Sequence, residues 1–245
     1  MILSKPSQKE FAEMIVLAAL ATCFKPNELH LTLDQLMVRG FAPTESYGKQ
    51  WIADFLARKI IKAELLSGTR LGEDVAKTIL IRSPAGANCD IEGFKITLSN
   101  KLMRLINSDF QYSLYLKEFI IDIAACECIE YACYYANKSH LSISNASYTY
   151  PRLRLLLLEC EQKQVFMLIW RAIKHVAGGH SKSVTSVEFV EIIDNALSCY
   201  VKYKKKGLEI ESYNPPQFMK PSALADFIGY LTVAKENYLD AKILK

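Results

Sequence analysis

The stretch TLDQLMVRGFAPTESYGKQWIADFLARKIIKAELL, Thr32 to Leu66, decides how the chain is read. Thr32-Leu33-Asp34-Gln35 is a capping box, so a short helix starts there. Gly40 suits the left-handed position after a helix and predicts its end. Phe41-Ala42-Pro43-Thr44 then turns the chain. From about Thr44 to Leu66, Ile52, Phe55, Leu56, Ile60 and Ala63 recur at three- and four-residue spacing and predict one long amphipathic helix. On its other side Asp54, Arg58 and Lys62 follow one another at i, i+4 and i+8.

Outward from this pair, Ser7-Gln8-Lys9-Glu10 is another capping box and predicts a first helix running to about Cys23, before Pro26. Leu20-Ala21-Thr22-Cys23 resembles a lipoprotein cleavage box, but Glu10 and Glu13 stand where a signal peptide carries positive charge. The stretch therefore reads as a buried helix. Downstream, Thr78–Arg82 and Phe94–Leu98 are short and β-branched and flank a turn-rich segment, Ser83–Gly93. They predict a hairpin. Three helices followed by a hairpin is the order of a winged helix, which sets the expected N-terminal domain at residues 1–100.

From residue 101 to 245 the expected domain is a helical bundle. Predicted helices run over Asn100–Asn107, Asp109–Ala136, Pro151–Ala177, from Thr185 to Lys206, and from Ser222 to Ile243. Asn137–Tyr150 is polar and serine-rich and reads as a loop. The fold class expected is mainly α.

Composition bounds the functions. The chain has 245 residues, 51% hydrophobic and 23% charged, with 10 Gly and 8 Pro, which is a globular and helix-favouring balance. Net charge is +4. Residues 1–100 hold 12 basic against 11 acidic residues, and residues 151–245 hold 14 against 10. No segment is strongly basic, so charge alone permits nucleic acid without requiring it. Seven cysteines, an odd number set mostly in apolar runs, predict reduced buried thiols and a cytoplasmic protein. No membrane span is expected.

The candidate nucleic-acid-binding residues are Thr44, Ser46, Tyr47, Lys49, Gln50, Arg58, Lys59 and Lys62. In a recognition helix Thr44, Ser46, Tyr47 and Gln50 would lie near base edges, and Lys49, Arg58, Lys59 and Lys62 near phosphates. The alternative for the same residues is an ordinary surface helix, or a face that meets protein. The segment Ser83–Gly93 carries only acidic charge, Asp90 and Glu92, which is unlike a wing that grips DNA.

Other candidates each have a plain structural reading. Tyr148, Tyr150, Arg152 and Arg154 interleave rings and cations as a single-strand platform does, or dock a loop on the bundle. Lys202, Lys204, Lys205 and Lys206 cluster where a helix end favours cations. Cys126, Cys128 and Cys133 do not share one helix face, so no metal site is expected. Glu118 and Asp122 at i, i+4 are an acid/base pair or partners of arginines. Arg171-Ala-Ile-Lys-His175 resembles the Arg–His motif of HEPN-type ribonucleases, with a shorter spacing. That resemblance implies His175 as acid/base and Arg171 on phosphate.

The expectation is a non-enzymatic DNA-binding or regulatory protein, with double-stranded DNA as partner and the bundle supplying self-association or a protein contact. Its rivals are an interaction subunit of a larger complex and a helical-bundle ribonuclease. No cofactor is expected.

Overall fold

The computed structural model describes residues 5–65, 79–85, 90–178, 183–207, 212–214 and 220–243, and the chain is mainly helical. In order, the elements are α1 (Gln8–Thr22), β1 (His30–Thr32), α2 (Leu33–Val38), α3 (Glu45–Ala57), β2 (Ala63–Leu65) and β3 (Ile79–Arg82). There follow α4 (Ile91–Ser108), α5 (Phe110–Lys138), β4 (Ser142–Ser144), a 3-10 turn (Ala146–Thr149), α6 (Tyr150–Glu159), α7 (Gln162–Ala177), β5 (Ser183–Thr185), α8 (Ser186–Lys205) and α9 (Ala223–Ile243). Among the described residues, no helix is long and apolar enough to cross a membrane.

Contacts divide the chain into two compact units, Met1–Ile120 with Pro221–Lys245, and Ile121–Lys220. The first unit therefore combines both ends of the sequence, and its limits differ from a division at residue 100.

In the first unit α1 is the centre. Phe11, Ile15, Val16, Ala18, Ala19 and Leu20 are buried on it, and α4 and α9 pack along it. The Ser7 box forms as read: Glu10 N–H donates to Ser7 Oγ at 3.3 Å, and Ser7 N–H donates to Glu10 Oε2 at 2.7 Å. The three strands form one antiparallel sheet in the order β1-β3-β2, with His30 opposite Arg82 and Ala63 opposite Ile81. Leu31 and Ile81 are buried on the inner face of this sheet.

Helices α2 and α3 start and stop by the same device. Thr32 and Thr44 cap them through hydrogen bonds from Gln35 N–H and Tyr47 N–H, each 3.1 Å. At the end of α2, Gly40 takes φ +70° while Gly40 N–H bonds Met37 O and Phe41 N–H bonds Leu36 O. At the end of α3, Lys59 takes φ +58° while Lys59 N–H bonds Leu56 O and Ile60 N–H bonds Phe55 O. This is the double-bonded left-handed helix stop, made once with glycine and once with lysine.

Several expected boundaries are thereby corrected. The helix expected over Thr44–Leu66 ends at Ala57, because Lys59 turns left-handed and residues 63–65 join the sheet. The hairpin expected between Thr78–Arg82 and Phe94–Leu98 does not form. Ile79–Arg82 pairs with β1 and β2, and Phe94–Leu98 lies in α4. Asp90 caps α4 by accepting from Gly93 N–H at 2.8 Å, and Leu102 and Ile106 bury its inner face, while the β-branched Ile96 stays half exposed. Thr78 and residues 86–89 of the expected loop lie outside the described residues.

The second unit is a helical bundle-like assembly around α7. Val165 to Ile169, Ala172 and Ile173 are buried, and the Phe166 ring stacks on Tyr131 of α5 at 4.4 Å between centroids. The helix expected over Pro151–Ala177 is two helices, α6 and α7, separated at Cys160, whose backbone is extended. Glu161 then caps α7. β4 and β5 pair in parallel, with Ser142 opposite Ser183. Thr185 closes β5 and opens α8 with a capping box to Glu188. The segment Asn137–Tyr150, read as a loop, holds the end of α5, β4 and the 3-10 turn.

Candidate nucleic-acid interface

Helix α3 is held by its inner face and shows a small, polar outer face. Ile52 and Phe55 are buried, and Trp51 meets Phe119 edge-on at 6.3 Å. Gly48 is buried where a Cβ would stand 3.0 Å from Met37 Sδ and 3.1 Å from Ala42 Cβ, so glycine lets α3 approach α2 closely. The exposed positions are Glu45, Ser46, Lys49, Gln50, Ala53 and Ala57. At helical spacing Ser46, Lys49, Gln50, Ala53 and Ala57 form one stripe, polar in its first half and small in its second.

The eight residues singled out in the sequence fall into three groups. Ser46, Lys49 and Gln50 are brought together on the exposed stripe. Thr44 is buried and serves as the cap of α3, and Tyr47 is half-buried with its ring edge-on to Trp51 at 6.3 Å. Beyond the helix, Arg58 is its C-cap, Lys59 its left-handed stop, and Lys62 the exposed residue before β2.

Arg58 turns inward. Its Nη2 meets Glu13 Oε1 of α1, and its Nε stands 3.2 Å from Asp54 Oδ2. Glu13 is a buried carboxylate, 7% exposed, so Arg58 neutralises a charge that the interior would otherwise hold alone. Glu13 Oε1 and Asp54 Oδ2 face the guanidinium at ion-pair distance, and neither has a hydrogen-bond partner. Lys9 adds a second cation, 3.2 Å from Asp54 Oδ1. Sequence reading of Arg58 as a surface cation misses this, because Glu13 lies 45 positions away and only the shortened helix directs the side chain toward it. Lys49 is also engaged, its Nζ 2.5 Å from Glu45 Oε1.

Elsewhere two of the arginines read as candidates are also committed. Arg152 Nε bonds Asp194 Oδ1 at 2.5 Å and Arg154 Nε bonds Asp122 Oδ1 at 2.6 Å, which fixes α6 within its bundle. Asp122 is thereby an arginine partner. Tyr148 is exposed and Tyr150 half-buried. Lys202, Lys204, Lys205 and Lys206 are exposed at the end of α8. Arg171 and His175 are exposed near the end of α7, where the neighbouring Lys174 Nζ lies over the Trp170 ring at 5.4 Å. His180 lies outside the described residues.

Two buried thiols of α5 are inert by environment. Burial pushes the Cys126 thiol up to about 12 and the Cys128 thiol well above its ordinary value, so both stay protonated at neutral pH. Among the described residues, no group of three or more His, Cys, Asp or Glu is placed to hold a metal ion.

The chain matches no family model, no curated protein and no solved structure.

Proposed function

We propose that α1 to β3 form a winged-helix module whose α3 enters the major groove of double-stranded DNA. The support is topological. The order helix, strand, helix, helix, strand, strand, with an antiparallel β1-β3-β2 sheet, places α3 against α2 and leaves its stripe of Ser46, Lys49, Gln50 and Ala53 exposed. That stripe is the single observation that carries the reading. Polar residues at the N-terminal half reach base edges, and small alanines let the helix axis approach the groove floor. Lys59, past the helix end, carries no ion pair among the described residues and supplies a phosphate contact. Arg58 contributes by holding α3 on α1.

A rival reading has a specific observation behind it. The Lys49–Glu45 pair leaves the stripe with little net charge, which suits a protein groove. One experiment separates the two. Fluorescence anisotropy with a labelled duplex at low salt is expected to show binding that Lys49→Ala with Gln50→Ala weakens about tenfold or more, each good base contact being worth roughly 1–3 kcal/mol. Lys59→Gly, which keeps the left-handed turn, is expected to lower the slope of log K against log salt by about one. Unchanged duplex affinity in the double variant would reject the groove assignment, and absence of any binding at low salt would move α3 to the protein-binding reading.

A further inference from the structure

The outer face of the three-stranded sheet carries a row of basic side chains that no single segment of sequence contains. His30 of β1 stands opposite Arg82 of β3. The ladder continues one residue before β2, where Arg82 N–H donates to Lys62 O at 2.9 Å. Side chains alternate across a strand, so His30, Arg82 and Lys62 share one face, while Leu31 and Ile81 occupy the buried one. Adjacent strands are about 4.8 Å apart, so the row spans about 10 Å with the guanidinium in its middle. Arg82 and Lys62 have no ion pair among the described residues, whereas Lys5, Lys9, Arg39, Lys49 and Arg58 of this unit are each paired.

Two observations bear on what the row holds. Glu64, two residues beyond Lys62 on the same face, sends its carboxylate back to 3.9 Å from His30 Nε2. An oxyanion tethered to the protein thus already sits over the row, too far from the imidazole for a hydrogen bond. His30 Nε2 itself is shielded from solvent and has no hydrogen-bond partner. The row is therefore a set of donors that an anion fits, occupied incompletely by a side chain that is itself more than half exposed and free to swing away.

We propose that His30, Arg82 and Lys62 bind the phosphate group of a small phosphate-bearing ligand, with Glu64 as a built-in competitor. A guanidinium offers two parallel donors to two phosphate oxygens, and the flanking imidazole and ammonium reach the others. The width of the row matches one or two phosphate groups, not the long charge track that a duplex requires. The site lies on the sheet and uses none of the stripe residues of α3, so it does not depend on the DNA reading.

The test is a titration of the 15N-labelled protein with inorganic phosphate at pH 7, matched for ionic strength with chloride, following the imidazole signals of His30. A saturable shift is expected, with a dissociation constant of roughly millimolar order. Arg82→Gln is expected to weaken it about tenfold, since a charge-assisted contact is worth roughly 1.5 kcal/mol or more. Glu64→Gln removes the competitor and is expected to tighten binding several-fold. Because Glu64 is exposed, this variant keeps its fold, which retained amide dispersion verifies. A His30 response that follows ionic strength alone, or a Glu64→Gln variant that binds phosphate no better, overturns the proposal. A second arm adds duplex DNA to the phosphate-loaded protein. Unaltered His30 signals agree with a small-ligand site, whereas displacement of phosphate by the duplex overturns that assignment and makes the row part of a nucleic-acid surface.

Discussion

Alanine at Phe11 is expected to remove about 3–5 kcal/mol of stability, the range for deleting a fully buried phenylalanine and leaving its cavity. Phe11 is 1% exposed on α1, and its ring lies 5.3 Å from that of Tyr112 and 6.3 Å from that of Tyr115. The helix around it holds the middle of its unit, so the cavity cannot close by a local shift of surface groups. Set against a typical domain stability of about 5–15 kcal/mol, the loss is a large fraction. Chemical denaturation is the measurement, with the midpoint falling and the slope unchanged. Phe110→Ala is the control. At 75% exposure, its removal is expected to change stability by no more than about 0.5 kcal/mol. Equal effects at the two positions would contradict the placement of α1 at the core.

Arg58→Ala is expected to cost about 2 kcal/mol. Breaking a buried ion pair costs roughly 3–5 kcal/mol because it strands a charge. Here the figure is reduced, since Arg58 and Asp54 are each about one third exposed and Lys9 still reaches Asp54. Glu13 decides the outcome, because its carboxylate is buried and Arg58 is the cation that meets it. The loss is therefore expected to shrink when Glu13→Gln has already removed that charge, and a double-mutant cycle read by denaturation measures the coupling. Additive effects would show that Arg58 does not serve Glu13. The same result governs how binding data are read, because a weaker duplex complex with Arg58→Ala reports a displaced α3 rather than a lost phosphate contact.

What the sequence discloses is local. The caps at Ser7, Thr32 and Thr185 are legible because a hydroxyl and a Glu or Gln three positions on suffice to form them. Gly40 is legible as a helix stop because glycine alone takes the left-handed turn without cost. Lys59 and His140 make the same turn at φ +58° and +56°, and nothing in either residue type announces it. The overlong helix drawn to Leu66 follows from that one silent lysine. Phe94–Leu98 shows the reverse difficulty. Its β-branched residues favour a strand, but the cap at Asp90 and burial of Leu102 and Ile106 at helical spacing prevail.

The candidate site divides along the same line. Ser46, Lys49 and Gln50 share a face by helical periodicity, so their grouping is readable from the sequence. The inward turn of Arg58 and the row of His30, Arg82 and Lys62 depend on partners tens of residues apart, which periodicity does not reach. Three-residue strands such as His30–Thr32 carry too few positions for alternation to register.

The central claim is that α3 reads duplex DNA through its exposed stripe, and backbone amide mapping tests it most directly. Duplex DNA added at low salt to the 15N-labelled protein is predicted to shift the amides of Ser46, Lys49, Gln50 and Ala53 at lower duplex concentration than any in residues 121–220. A duplex that shifts amides elsewhere and leaves those four in place, or that shifts none, would contradict it.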